Sequence, residues 1–159
     1  MKQHCIKMDL NTAKKIYKDS PSELRTALED KFGKRSLSSD ICDMIQSLED
    51  VYELNSTSYD KVVPFKDSQD AGEISTNADA IIKQITKAYN QGTILDWDNR
   101  SQAKYYLYFQ KAHGGWVLCG VNGSHYRALL GSGHYFKSEK LARDAYSKFQ
   151  DVWNNYLGK

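Results

Sequence analysis

Residues 104–137 read KYYLYFQKAHGGWVLCGVNGSHYRALLGSGHYFK, and their pattern decides the predicted fold. Apolar and polar side chains alternate with a period of two, which is typical of strands that bury one face. Strands are predicted at residues 104–110, 116–121, 125–130 and, more briefly, 134–137. The turns between them are predicted at Gly114-Gly115, Asn122-Gly123 and Gly131-Ser132-Gly133. Asn-Gly suits a type I′ hairpin turn, because both central residues of that turn need positive φ. The stretch therefore predicts a three- to four-stranded antiparallel meander.

Helices are predicted on both sides of this meander. Thr76 or Asn77 is predicted to cap a helix whose apolar stripe ends at Tyr89. Ser138 is predicted to cap a C-terminal amphipathic helix that packs on the sheet. Towards the N-terminus, residues 20–23 (SPSE) carry the start signal of a further helix. The predicted fold class is α+β, with N-terminal helices followed by a helix, the meander and the final helix.

The chain is predicted to have three regions. Residues 1–54 form a helical N-terminal region, residues 55–76 a linker or long loop, and residues 77–159 an α-β(3-4)-α C-terminal domain. The middle region is mostly polar, and Pro64 and Gly72 interrupt any regular pattern there. A single compact domain of 159 residues remains an alternative.

Composition limits the classes of protein to consider. Hydrophobic residues make up 40% of the chain and charged residues 26%, which is ordinary globular composition. No apolar run approaches the roughly 18 residues of a membrane helix. The N-terminus has no apolar signal segment, and three distant cysteines argue against a disulfide framework. We therefore predict a cytoplasmic protein that does not act at a membrane.

Positive charge is concentrated in one part of the chain. The overall formal charge is +2, but residues 99–148 hold eight basic and only two acidic residues. Such a surplus favours an anionic partner, although a solvated basic surface is the more common reason for it.

Nucleic-acid binding is the most specific functional hypothesis for this region. Aromatic residues on an open sheet face stack bases, and neighbouring basic residues hold phosphates. The candidate residues for this role are Arg100, Lys104, Tyr106, Tyr108, Lys111, Trp116 and Arg127. Aromatic residues also occur in strands for packing alone, and helices covering both faces would leave no binding platform.

Catalysis and metal binding have weaker support. Cys119 with His113 or His125 is the only enzymatic candidate, and each of these residues also suits a structural role, Cys119 as a buried thiol. His125 and His134 have no carboxylate at ligand spacing, so no metal or cofactor is predicted. The glycine-rich segments lack the lysine and following helix of a phosphate loop and are read as turns.

The segment from Ala78 onward resembles an uncharacterised family of small proteins encoded in gut bacterial genomes and their phages or prophages. The resemblance is carried by Tyr89-Asn90-Gln91-Gly92, Asp96-Trp97, Lys104-Tyr105-Tyr106, Phe109, Leu130-Gly131-Ser132, Phe136-Lys137-Ser138 and Leu141-Ala142. It implies a genomic setting in mobile elements and brings no known activity, cofactor or site residue with it.

The leading functional prediction is a non-enzymatic binding or interaction protein of phage or mobile-element origin. The alternative is a protein that binds single-stranded nucleic acid through the basic, tyrosine-rich meander. The partner is therefore expected to be a protein or a nucleic acid, and a homodimer is left open.

Overall fold

The computed structural model describes residues 8–38 and 40–158, except for the side chain of Arg35. Its class is α+β, which confirms the predicted class. The helices are α1 (Leu10–Tyr17), α2 (Ser22–Phe32), α3 (Lys34–Leu37), α4 (Ile41–Met44), α5 (Leu48–Leu54), α6 (Tyr59–Val62), α7 (Ala71–Tyr89), α8 (Glu139–Lys148) and α9 (Gln150–Tyr156). The strands are β1 (Lys104–Ala112) and β2 (Gly115–Ser124), and a short 3-10 helix covers Ser132–His134.

The chain divides into two compact units, the first running through Met44 and the second beginning at Ile45. Both predicted region boundaries, at residues 54 and 76, lie inside the second unit. The segment predicted as a linker, residues 55–76, contains α6 and the start of α7.

The first unit is a small helical cluster. Its buried core consists of Ala13, Leu28 and Leu37, contributed by α1, α2 and α3. The carboxylate of Asp9 caps α1 by accepting a hydrogen bond from the Thr12 N–H at 2.9 Å. Local capping and a shared apolar core therefore both stabilise this unit.

The N-terminus of α7 lies upstream of the predicted cap at Thr76 or Asn77. The helix begins at Ala71 because Asp70 Oδ1 accepts hydrogen bonds from the N–H groups of Gly72 and Glu73, at 2.9 and 3.0 Å. The Asn77 side chain instead binds the main chain of Phe65. α7 packs against α9 and α5 and forms the centre of the second unit.

The C-terminal apolar stripe forms two helices, not one. Ser138 caps α8 as predicted, accepting a hydrogen bond from the Leu141 N–H. The backbone of Phe149 departs from helical geometry, at φ −123° and ψ 33°, and separates α8 from α9. α8 packs on both strands, with the rings of Tyr146 and Phe109 5.7 Å apart, so the predicted packing of a final helix on the sheet belongs to α8.

The sheet is a β-hairpin, and one of its predicted turns is wrong. β1 and β2 pair antiparallel around a turn at His113-Gly114, one residue before the predicted Gly114-Gly115. Asn122 and Gly123, however, continue β2 and lie opposite Tyr106 and Tyr105. Pairing along the whole of β1 therefore overrides the local turn preference of Asn-Gly. A register shift between Tyr108 and Phe109 marks a β-bulge.

The three- to four-stranded meander is not confirmed, since the described residues contain only these two strands in a sheet. The main-chain N–H groups of Leu129 and Leu130, which a third strand would need, donate to the Tyr135 hydroxyl at 2.7 and 3.2 Å. Of the predicted fourth strand, Phe136 alone pairs, through an isolated antiparallel bridge to Tyr105.

Candidate functional site

β1 has one edge paired with β2 and another that is mostly open. At the open edge, the Tyr105 N–H donates to Phe136 O at 2.9 Å, and the Phe136 N–H donates to Tyr105 O at 2.7 Å. The main-chain groups of Tyr105 therefore point away from β2. Because these directions alternate along a strand, the main chains of Leu107 and Phe109 point the same way. Within the described chain, no hydrogen bond from outside the hairpin reaches either residue.

An apolar pocket of about 270 Å³ lies along this open edge. β1 contributes four consecutive residues, Tyr106 to Phe109, to its lining. Phe136, which pairs with Tyr105 at this edge, also lines the pocket. The rest of the lining comes from Ile82, Trp116, Leu129, Leu130, His134, Trp153, Tyr156 and Leu157.

The walls of the pocket come from distant parts of the second unit. α9 supplies Trp153, which is buried, and Tyr156. The segment between β2 and the 3-10 helix supplies Leu129, which is 69% exposed and lies at the mouth. Large apolar side chains around a preformed space, with one open side, are typical of a binding site for an apolar group.

His134 is the one histidine that lines the pocket, and its ring is bound to a carboxylate. His134 Nε2 and Asp79 Oδ1 lie 2.8 Å apart, and Lys83 binds the other carboxylate oxygen. Burial acts to raise the pKa of Asp79, but the hydrogen bonds from Lys83 and His134 outweigh it and hold that pKa below its ordinary value.

This histidine–carboxylate pair has a structural role. In the described chain no serine, threonine or cysteine side chain hydrogen-bonds to His134, so the geometry offers no nucleophile for the pair to activate. The ring of His134 packs 5.4 Å from that of Tyr156. The pair therefore ties the 3-10 helix to α7 and fixes one wall of the pocket.

A second feature is an exposed aromatic ring between two arginines. The Tyr126 ring is 60% exposed, and the guanidinium carbons of Arg100 and Arg127 lie 5.9 and 5.2 Å from its centroid. His125 Nδ1 and the Arg100 carbonyl oxygen are 2.9 Å apart, which holds the Arg100 main chain beside this loop. We call Arg100, Tyr126 and Arg127 the arginine–tyrosine cluster.

The structure separates the seven predicted nucleic-acid contacts into different environments. Lys104 is fully buried, and Tyr106 is only 8% exposed. Tyr108 is 45% exposed and lines the pocket together with the half-buried Trp116. The ammonium of Lys111, also on the surface, lies 5.4 Å from the Trp116 ring. The remaining two, Arg100 and Arg127, belong to the arginine–tyrosine cluster.

Burial of Tyr106 has a clear cause. Its ring packs on that of Tyr135, with centroids 5.4 Å apart, in a cluster that also includes Leu95 and Trp97. The seven residues therefore do not form one continuous stacking platform, although Tyr108 and Trp116 both line the pocket.

Sequence reasoning missed Tyr126 and most of the pocket. Tyr126 lies directly before Arg127 in the chain, so the neighbouring arginine could have indicated it. The sequence pattern instead places Tyr126 in a predicted strand that does not form. Trp153 and Tyr156 gave no such signal, because an amphipathic helix pattern shows only which residues are buried and not which of them border a cavity.

The Cys119 thiol does not pair with a histidine among the residues described. Its sulfur approaches Val117 O at 3.7 Å, while His125 binds the Arg100 main chain. Cys119 is exposed at the bulge, in contrast to the buried thiol expected from the sequence. The expectation that the protein is not an enzyme stays a prediction.

The described residues contain neither a cluster of metal ligands nor a helix that could span a membrane. No group of three or more histidine, cysteine, aspartate or glutamate side chains in residues 8–38 and 40–158 is arranged to hold a metal ion. Nor does any described helix combine the length and apolar character that crossing a bilayer requires.

Comparison of the chain with protein-family models, with curated proteins and with solved structures gives no match.

Proposed function

We propose that the protein is a non-enzymatic binding protein that takes an apolar group of its partner into the pocket beside β1. The observation that carries this proposal is the preformed apolar space of about 270 Å³, bordered by aromatic rings and open at Leu129. Its volume suits one large side chain or a small aromatic molecule. Burial of an apolar group of that size is favourable by about 2–3 kcal/mol.

Titration with the dye 8-anilinonaphthalene-1-sulfonate, an aromatic anion, tests this proposal. The dye should gain emission on binding the native protein, and Leu129→Glu should weaken its binding about tenfold, because a carboxylate at the mouth opposes both an apolar and an anionic ligand. Leu129 is largely exposed, so this change should leave the fold intact.

Leu24→Glu is the matched control. Leu24 is 42% exposed, belongs to the first unit and does not line this pocket, so dye affinity should stay within about twofold of the native value. Equal weakening by both substitutions, or no dye binding to the folded native protein, would contradict the proposal.

The arginine–tyrosine cluster supports a second candidate, binding of single-stranded nucleic acid. An exposed ring flanked by two guanidinium groups offers one stacking surface and two phosphate contacts. The anisotropy of a fluorescein-labelled oligothymidylate should rise with protein at low salt, and affinity should fall severalfold between about 50 and 200 mM salt.

Tyr126→Ala should reduce this affinity about tenfold, since stacking on an aromatic ring contributes about 1–3 kcal/mol per base. Tyr59→Ala removes a similarly exposed tyrosine elsewhere in the second unit and should have no effect. Absence of any anisotropy change at low salt would exclude this candidate.

We also propose, from the resemblance of residues 78 onward alone, that the protein is encoded on a phage or other mobile element and acts in the bacterial cytoplasm. Neighbouring genes of phage type, found repeatedly beside the coding sequence, would support this origin. A setting among housekeeping genes alone would contradict it.

A further inference from the structure

The open edge of β1 is competent for strand pairing. Tyr105 already makes both hydrogen bonds of an antiparallel bridge with Phe136. In that register His134 would lie opposite Leu107. The His134 N–H instead donates to Gly131 O at 3.0 Å, because the chain turns into the 3-10 helix. The pairing positions opposite Leu107 and Phe109 are therefore left without a partner strand from the described chain.

The pocket lies where that missing strand would run. Tyr106 to Phe109 of β1 line it, and so do His134 and Phe136 of the segment that pairs with Tyr105, which is the placement expected for a space beside the edge. A strand added there would send alternate side chains towards the pocket while its main chain satisfied Leu107 and Phe109. This is the geometry of β-strand addition, in which main-chain bonds give affinity and side-chain pockets give specificity.

The basic character of the part of the chain that carries the site favours an acidic partner. Residues 99–138 contain five basic residues and no aspartate or glutamate. Two of these are occupied, since Lys104 and Lys137 donate to carbonyl oxygens. Arg100, Lys111 and Arg127 have no carboxylate within ion-pair distance among the described residues. Lys111 follows Phe109 by two positions, so its main chain faces the same edge.

We propose that the partner is an extended, acidic peptide segment of another protein, which adds as a strand to the open edge of β1 and places one large apolar side chain in the pocket. This inference rests on the proposed binding function and names its partner class. A nucleic-acid base fits less well, because its polar edges would lose their hydrogen bonds in an almost wholly apolar space.

Selection from a display library of random eight-residue peptides tests the proposal on the full chain. Enriched peptides should alternate apolar and acidic residues, and the best should be synthesised with a fluorescent label for anisotropy measurements. Lys111→Glu should weaken binding about tenfold, whereas Lys61→Glu, at an exposed lysine that does not line this pocket, should not.

The decisive arm uses N-methylated versions of the best peptide. Alternate amides of an added strand face β1, so methylation of one alternate set should lower affinity at least about tenfold, whereas methylation of the other set should not. Hydrogen exchange at the Leu107 and Phe109 amides should also slow when the unmodified peptide binds.

Each other outcome overturns the proposal in a distinct way. Equal effects of both methylated sets would mean that side chains alone bind, which overturns strand addition and keeps the pocket function. Dye binding without any enriched peptide would overturn the peptide partner only. Failure of both would overturn the pocket function as well. Slowed exchange at Leu107 on self-association would assign the edge to a second copy, and displacement of the dye by oligothymidylate would assign the pocket to nucleic acid.

Discussion

At the scale of single residues, Lys104 shows how burial changes the role of a charge. Its ammonium donates to the carbonyl oxygens of Asn99 and Gln102, both at 2.8 Å, and of His125 at 3.3 Å. It also lies 5.5 Å from the ring of Trp97. The cation thus joins the loop before β1 to the loop after β2, and it is not available to hold a phosphate.

Replacement of Lys104 with methionine should destabilise the second unit strongly. The methionine keeps the apolar stem but leaves three carbonyl oxygens without their donor, which should lower the free energy of unfolding by about 2–3 kcal/mol. Urea denaturation followed by circular dichroism measures this. Lys111→Met, at an exposed lysine, should change the same quantity by less than about 0.5 kcal/mol, and equal losses in the two variants would contradict the assigned role.

Asp79 makes stability depend on acid. Its pKa lies below the ordinary value of 3.8 in the folded state, so the contribution of its pairing with Lys83 and His134 is full above that value and is lost as the pH falls through the folded pKa. Asp79→Asn should therefore cost about 1–2 kcal/mol near pH 5, and the difference from the native protein should shrink towards pH 2.

Urea denaturation across this pH series tests the prediction. Asp151→Asn removes an exposed carboxylate with no described ion pair, and its effect should be small across the series. A loss of stability for Asp79→Asn that stays constant down to pH 2 would show that stability does not depend on ionisation of the Asp79 carboxyl.

Two lysines show the limit of what the sequence predicts for single residues. Lys104 and Lys111 both lie in β1 and were both predicted to contact phosphates, yet one is buried and the other exposed. The difference depends on the path of the loops before β1 and after β2, whose carbonyl oxygens bind the Lys104 ammonium. No local pattern specifies that path.

At the scale of elements, local signals predicted some limits of helices and strands correctly and others incorrectly. Ser138 caps α8 as predicted, and its side chain accepts a hydrogen bond from the Leu141 N–H three residues on. Asn122-Gly123 failed as a turn because hairpin length was decided by pairing with Tyr105 and Tyr106 across the sheet. The length of the hairpin therefore depends on a distant partner, whereas the start of α7, which was also predicted incorrectly, depends on the local cap at Asp70.

Asn90, directly after α7, binds residues 135–137, the segment whose Phe136 pairs with Tyr105 at the open edge of β1. Its side-chain amide donates to Tyr135 O at 2.8 Å, and its side-chain oxygen accepts from the Lys137 N–H at 2.9 Å. Asn90→Ala should lower the free energy of unfolding by about 2 kcal/mol, because both bonds are lost at a buried position.

Hydrogen exchange gives a local test of the same variant. The Tyr105 amide, which donates to Phe136 O, should exchange faster when Asn90 no longer holds residues 135–137. Asn155→Ala, at an exposed position in α9, should change neither stability nor this exchange rate appreciably. Unchanged Tyr105 exchange in Asn90→Ala would contradict the role of Asn90.

At the scale of the whole molecule, the pocket, the open edge and the arginine–tyrosine cluster all belong to the second unit. That unit has its own buried core along α7, including Ile82, Ile85 and Tyr89. The sequence predicted its helix-rich and strand-rich parts. Its start at Ile45 was not predicted, because the sequence indicates helix in two pieces over residues 36–54, and a break between two helices does not by itself indicate a boundary between units.

A fragment that begins at Ile45 should therefore fold without the first unit. We expect a cooperative urea transition and dye affinity within about threefold of the full chain, because every pocket-lining residue is retained. Circular dichroism and dye titration measure the two quantities. A fragment without a cooperative transition would show that the first unit is needed for the fold of the second.

All three tryptophans of the chain, Trp97, Trp116 and Trp153, lie in the second unit, and the first unit has none. Two of them, Trp116 and Trp153, border the pocket. Fluorescence excited through indole alone therefore reports on the second unit and not on the first. A change in indole emission on adding a ligand, or during partial denaturation, would locate the event in the unit that carries the pocket without any added label.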